Sequence, residues 1–161
     1  MYCRSPFLRR TAALSLLFGL ATACTDSTSP GTPSNPATET YAQSLGVDIS
    51  QMTRISDALY IRDLSVGGGT LATTGKALQV TYTGWLSNGT QFDSNVGKAS
   101  FGFTLGAHEV IEGWDLGLVG MKVGGKRRLV IGSALGYGSG GNGPIPPNST
   151  LVFDVQLVGA Q

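Results

Sequence analysis

The stretch V-T-Y-T-G-W-L-S-N-G-T-Q-F-D, residues 80–93, alternates apolar and polar side chains up to Asn88-Gly89 and then ends on Phe92-Asp93. With Leu78 added, Leu78, Val80, Tyr82, Gly84 and Leu86 fall on one face and Gln79, Thr81, Thr83 and Trp85 on the other. That two-residue period belongs to a strand with one face turned inward, and Asn-Gly supplies the turn after it. A second stretch, E-V-I-E-G-W-D at 109–115, departs from alternation and again mixes apolar residues with acids. The two stretches put aromatics and acids at strand and helix ends without a conventional nucleophile, and are read as parts of one pocket.

Further along the chain, the strand period recurs in Phe101, Phe103 and Leu105, in Leu129 and Ile131, and in Leu151, Phe153, Val155 and Leu157. Residues 59–64 are a weaker candidate for an additional edge strand. Short segments with glycine-rich joints indicate an antiparallel sheet. Ile111, Trp114, Leu118 and Met121 follow helical spacing instead, which predicts a short amphipathic helix over 111–121. Gly113, Gly117 and Gly120 share another of its faces, each weakening it by up to about 1 kcal/mol relative to alanine, so the sheet has to hold this helix in place. The expected class is α+β, a curved antiparallel β-sheet wrapped around one short α-helix. Residues 132–150 are too rich in glycine and proline for regular structure, and so long a loop inside a compact domain tends to be functional. It is expected to border a binding site, with Tyr137 and Ile145 turned inward.

The 161 residues provide for one domain of ordinary size. Residues 1–23 carry Arg4, Arg9 and Arg10, then an apolar stretch from Ala12 to Leu20, then Ala21-Thr22-Ala23, the pattern of a secretory signal. Cleavage after Ala23 leaves Cys24 first, a cysteine without an intrachain disulfide partner, and lipidation there is favoured over a plain cleavage site. Residues 24–40, dominated by Ser, Thr, Pro, Asn and Gly, are read as a flexible tether. Residues 41–58 are an N-terminal extension in which Leu45, Val47, Ile49 and Ile55 make packing plausible, and whether it is ordered or more tether stays open. Residues 59–161 form the folded domain. Eleven basic residues, less the three leader arginines, against ten acidic ones leave a net charge near −2. The K-R-R cluster at 126–128 is too small to suggest nucleic acid and is expected at the start of a strand.

Counting removes many chemistries. The sequence holds one histidine, His108, expected exposed at a strand-to-helix turn, and one cysteine beyond the leader. His/Cys metal sites and Cys-His nucleophile pairs therefore lack their parts, and no G-x-S-x-G elbow is present. The glycine-rich runs at 67–69 and 138–143 lack the lysine and helix of a phosphate loop. An apolar aromatic pocket with few polar groups suits a reaction needing neither a covalent intermediate nor an acid-base pair. Rotation about an X-Pro bond is such a reaction, its barrier of roughly 18–20 kcal/mol arising from amide resonance. No metal and no cofactor is expected.

Five blocks in register then resemble the FKBP-type peptidyl-prolyl isomerases over about residues 59–158. They are Y-T-G-W-L with Phe92-Asp93, F-x-F-x-L-G at 101–106, E-V-I-E-G-W at 109–114, Tyr137-Gly138, and I-P-P-N-S-T-L-V-F-D-V at 145–155. The resemblance implies that Tyr82, Phe92, Phe101, Val110, Ile111, Trp114, Tyr137, Ile145 and Phe153 line the pocket, with Trp114 as its floor. It implies polar contacts from Asp93 and Tyr137, a substrate carbonyl bound by the Ile111 N–H, and a backbone carbonyl, not a carboxylate, offered by Glu109. Phe103 matches a core position. Implied partners are proline-containing polypeptide clients and macrolide immunosuppressants of the tacrolimus type. With the leader, this describes an exported monomer, held at a membrane through lipid on Cys24, that assists folding in a bacterial periplasm or cell envelope. A chaperone or binding module of the same fold with little turnover is the alternative. Where the family often pairs its aspartate with a following arginine, the shorter loop here offers only Lys98. Asn142 stands near where some relatives carry histidine.

Overall fold

The computed structural model describes residues 31–161. The expected secretory signal, Cys24 and the first part of the tether lie outside the described residues. Seven strands, β1 (Thr53–Ser56), β2 (Leu59–Ser65), β3 (Ala77–Leu86), β4 (Gln91–Ser94), β5 (Phe101–Thr104), β6 (Lys126–Ile131) and β7 (Leu151–Ala160), form one antiparallel sheet, with the helix α1 (Glu112–Gly117) between β5 and β6. The order is β1-β2-β6-β7-β3-β4, and β5 also pairs with β3, below β4 along the same edge. Among the described residues no helix is long and apolar enough to cross a membrane.

The alternation expected of β3 is observed: Leu78, Val80, Gly84 and Leu86 are buried. They share a core with Leu129 and Ile131 of β6, Phe153, Val155 and Leu157 of β7, and Trp114 and Leu118 at the helix. The sheet has a second apolar layer on its other side. There Tyr60, Val130 and Val152 pack with Leu45, flanked by Tyr41, Val47, Ile49, Met52 and Trp85. Residues 41–58 are thus ordered, with short 3-10 turns at Gln43–Leu45 and Ile49–Gln51, and Arg128 donates to the Leu45 carbonyl.

Three expectations need correction and one is extended. The helix covers Glu112–Gly117 and not 111–121, because Leu118 closes the ladder and Gly120, at φ 79°, turns the chain away. Strand β2 is not an edge, since β1 covers its free side. The K-R-R cluster opens β6 as expected, and its arginines are engaged as well. Arg127 is buried, bonded to Asp63 and to the carbonyls of Gly117 and Val119, while Arg128 forks onto Asp154. Finally, residues 34–40 do not behave as free tether. Ser34 exchanges two hydrogen bonds with Ser133, Pro36 is buried, and Glu39 accepts from Ser87 and Thr150.

The glycine face of α1 has a steric reason. A Cβ on Gly113 would lie 2.5 Å from Ile131 Cγ2, so only glycine lets the helix approach β6 this closely. Packing therefore overrides the unfavourable propensity.

Candidate active site

Six separate parts of the chain bring their aromatic or branched side chains to one place. Trp114, 4% exposed, projects from α1 and meets Tyr82 of β3 edge-to-face at 5.1 Å and Phe153 of β7 at 5.3 Å between ring centroids. Phe92 of β4 stands edge-on to Phe153 at 5.5 Å, and Phe101 of β5 faces Trp114 at 6.4 Å. Such T-shaped contacts suit the ring quadrupoles and fix each wall against its neighbours. Val110, Ile111 and Tyr137 are half-buried against the same core, and Ile145 is buried within it. Phe103 is 5% exposed and tilted against Trp114, a core residue as expected, whereas Phe101, one strand period away, is 42% exposed.

Gly84 explains how the walls come so close. A Cβ there would sit 2.7 Å from both Phe153 Cε1 and Phe92 Cζ. The alternation that marks β3 as a strand thus contains one position where the inward side chain has to be absent.

The pocket's polar edge is short. Tyr82 donates its hydroxyl to Asp93 Oδ2 at 2.5 Å, and Ser94 N donates to Asp93 Oδ1 at 2.8 Å. Asp93 is therefore oriented by a tyrosine, in place of the arginine that its loop lacks. Burial, followed by the bond to Asp93, pushes the Tyr82 phenol above its usual value, so it remains a neutral donor near pH 7. Glu109 Oε2 accepts from Thr104 N at 2.9 Å, which engages the carboxylate at the end of β5. Trp114 Nε1 is buried without a hydrogen-bond partner among the described residues.

Two positioning residues escape sequence reasoning. Asn95 fills the gap where β3 passes from β4 to β5: its Oδ1 accepts from Tyr82 N at 2.7 Å and its Nδ2 donates to Val80 O at 3.1 Å. The side chain imitates a strand partner at the residue that bears the Tyr82 ring. Asp115, also buried, accepts from Gly106 N and His108 N at 2.8 and 3.1 Å. It holds the turn in which His108 takes a φ of 58°, unfavourable for a side-chain-bearing residue, while the His108 side chain itself is exposed as expected. An acid in the first turn after Ile111, which provides no side-chain cap, was the available signal.

A family model described as FKBP-type peptidyl-prolyl cis-trans isomerase matches residues 68–158, more than half of the chain. The chain belongs to this family. An FK506-binding protein of Neisseria meningitidis serogroup A is 52% identical over 103 residues, which cover 63% of this chain and 94% of that protein. Among solved structures, FkpA from Escherichia coli superposes with a TM-score of 0.64 at 36% identity, over 74% of this chain and 55% of FkpA. A peptidyl-prolyl cis-trans isomerase from Pseudomonas syringae gives 0.62 at 32% identity, over 69% and 81%. The FKBP domain thus spans nearly all of the Neisseria relative but about half of FkpA. The curved antiparallel sheet around one helix is the fold these structures share with it, and the enzyme class is that of a peptidyl-prolyl cis-trans isomerase.

Proposed function

We propose that this isomerase accelerates X-Pro rotation in exported polypeptides by stabilising the twisted amide in the aromatic pocket without covalent chemistry. The observation that carries the reading is the cluster of Tyr82, Phe92, Phe101 and Phe153 around Trp114, with Tyr82 and Asp93 as a single polar pair. An apolar enclosure lowers the barrier because twisting breaks amide resonance and leaves a less polar bond. Every 1.4 kcal/mol gained in this way multiplies the rate about tenfold. The proline ring sits over Trp114, the Ile111 N–H receives the preceding carbonyl, and Asp93 and Tyr137 bound the polar edge. Glu109 offers its backbone carbonyl, its carboxylate being engaged by Thr104 N.

The signal-like pattern of residues 1–23 and the cysteine that follows support a reading in which this activity lies outside the cytoplasm, on a lipid-anchored monomer that serves clients in the cell envelope. Relatives from Neisseria are named FK506-binding proteins, and the same pocket here takes macrolides of the tacrolimus type. The test is NMR exchange of a Leu-Pro peptide with the mature protein, with and without tacrolimus. Catalysed exchange that the macrolide abolishes supports the reading. Binding without exchange replaces it with a client-gripping module.

A further inference from the structure

The pocket loop is held from outside the region that matches the family model. Tyr137 and Ile145 both lie on residues 132–150, and both ends of this loop bond to residues 34–41, some thirty residues before the match begins. At the first end Ser34 N donates to Ser133 Oγ and Ser133 N to Ser34 Oγ, each at 2.9 Å. At the second end Thr150 Oγ1 donates to Glu39 Oε2 at 3.1 Å, while Ser87 Oγ, in the β3–β4 turn, donates to Glu39 Oε1 at 3.1 Å. Ser133 and Thr150 are both buried, so their hydroxyls have few alternative partners. Tyr41 then ties the segment to itself by donating to the Pro36 carbonyl at 2.7 Å.

The bonds continue through the loop. Gly138 N donates to Ser133 O at 2.9 Å, and Asn148 N donates to Gly138 O at 2.8 Å, which joins the turn bearing Tyr137 to the segment leading into Thr150. A closed circuit therefore runs Ser34, Ser133, Gly138, Asn148, Thr150, Glu39. Tyr137 lies on the stretch of loop closed by the first of these two bonds and Ile145 on the stretch closed by the second.

We infer that residues 34–41 are a strap that positions the Tyr137 and Ile145 wall of the pocket, with Ser34 and Glu39 as positioning residues for isomerisation. This rests on the isomerase reading for its effect on turnover, but not for its effect on the loop. The test uses the full mature chain and the variants Ser34→Ala, Glu39→Ala and Glu39→Gln. Methyl and aromatic NMR signals of Ile145 and Tyr137 are followed beside those of Phe101, on β5, together with kcat/KM on a Leu-Pro peptide.

The expected result for Ser34→Ala and Glu39→Ala is exchange broadening at Ile145 and Tyr137 with Phe101 unchanged. A loss of about tenfold in kcat/KM accompanies it, short of the hundredfold that a 1 Å misplacement can cost. Glu39→Gln keeps an acceptor for one hydroxyl and a donor for the other, and restores both readouts. Gly132→Ala reaches the same strap by another route, since its Cβ would lie 2.7 Å from Ser34 O and 3.0 Å from Pro36 Cδ. Unchanged Ile145 and Tyr137 signals in Ser34→Ala, Glu39→Ala and Gly132→Ala overturn the inference, whatever happens to the melting temperature. Perturbed signals with turnover unaffected overturn the catalytic role and leave the isomerase reading intact.

Discussion

At the scale of single residues, the proposed chemistry rests on contacts that remove water and on one oriented acid. Truncating Phe92 to alanine removes a wall worth about 2 kcal/mol of apolar contact, which corresponds to roughly a thirtyfold loss in kcat/KM. Exchange spectroscopy on a Leu-Pro peptide measures it directly. Tyr82→Phe tests the orientation of Asp93 instead: the ring remains, the bond at 2.5 Å is lost, and Asp93→Ala added to it produces little further loss. The pH dependence follows from the same pair. Burial and the bond to Asp93 raise the Tyr82 phenol, so its contribution to stability is fully present below the ordinary tyrosine pKa of about 10. It is lost as pH rises through the higher folded value. Turnover therefore shows no step from Tyr82 between about pH 6 and 9, and a pH–rate profile checks this.

At the scale of elements, helix α1 sets propensity against packing. Gly113→Ala gains about 1 kcal/mol of helix propensity but forces a Cβ to 2.5 Å from Ile131 Cγ2. Overpacking of this kind costs typically about 1–3 kcal/mol, so denaturant unfolding of Gly113→Ala gives a net destabilisation, and adding Ile131→Val recovers part of it. The same conflict explains what could be read in advance. The period of β3 and β7 was legible because each has a face turned to a continuous core, as Leu78, Val80, Val155 and Leu157 show. The family motifs also picked out the aromatic residues that the fold gathers around Trp114. The length of α1 was not, because Leu118 and Met121 keep helical spacing and stay buried after the helix has ended. Strand β1 was missed since its residues Thr53, Arg54 and Ile55 are exposed and carry no inward face. The role of Asn95 was invisible for another reason: its side chain bonds backbone atoms of β3 that become its neighbours only after folding.

At the scale of the whole molecule, one sheet separates two apolar layers with different duties. The layer holding Trp114 forms the pocket, while the layer holding Leu45, Tyr60, Val130 and Val152 fastens residues 41–52 to the opposite side. Leu45→Ala therefore lowers global stability by about 2–5 kcal/mol while leaving kcat/KM unchanged at temperatures where the variant is folded. Chemical denaturation and the peptide assay together separate the two effects. The two tryptophans fall on either side of this division, Trp114 at the pocket and Trp85 beside the outer layer. Fluorescence of Trp114→Phe accordingly reports the outer layer alone.

Strand β7 occupies the middle of the sheet, between β6 and β3, yet it is the last strand in chain order. A polypeptide emerging amino-terminus first, from a ribosome or through a membrane channel, presents β3 and β6 before the strand that joins them exists outside. The central pairing must wait, as non-local sheet contacts do. Residues 34–41 wait longest of all, since they emerge ahead of the domain while their partners Ser133 and Thr150 arrive near its end. Phe153, on that final strand, completes the aromatic cluster. A nascent copy thus has no working pocket with which to turn the X-Pro bonds of its own 144–147 segment. Release of the entire domain comes before activity.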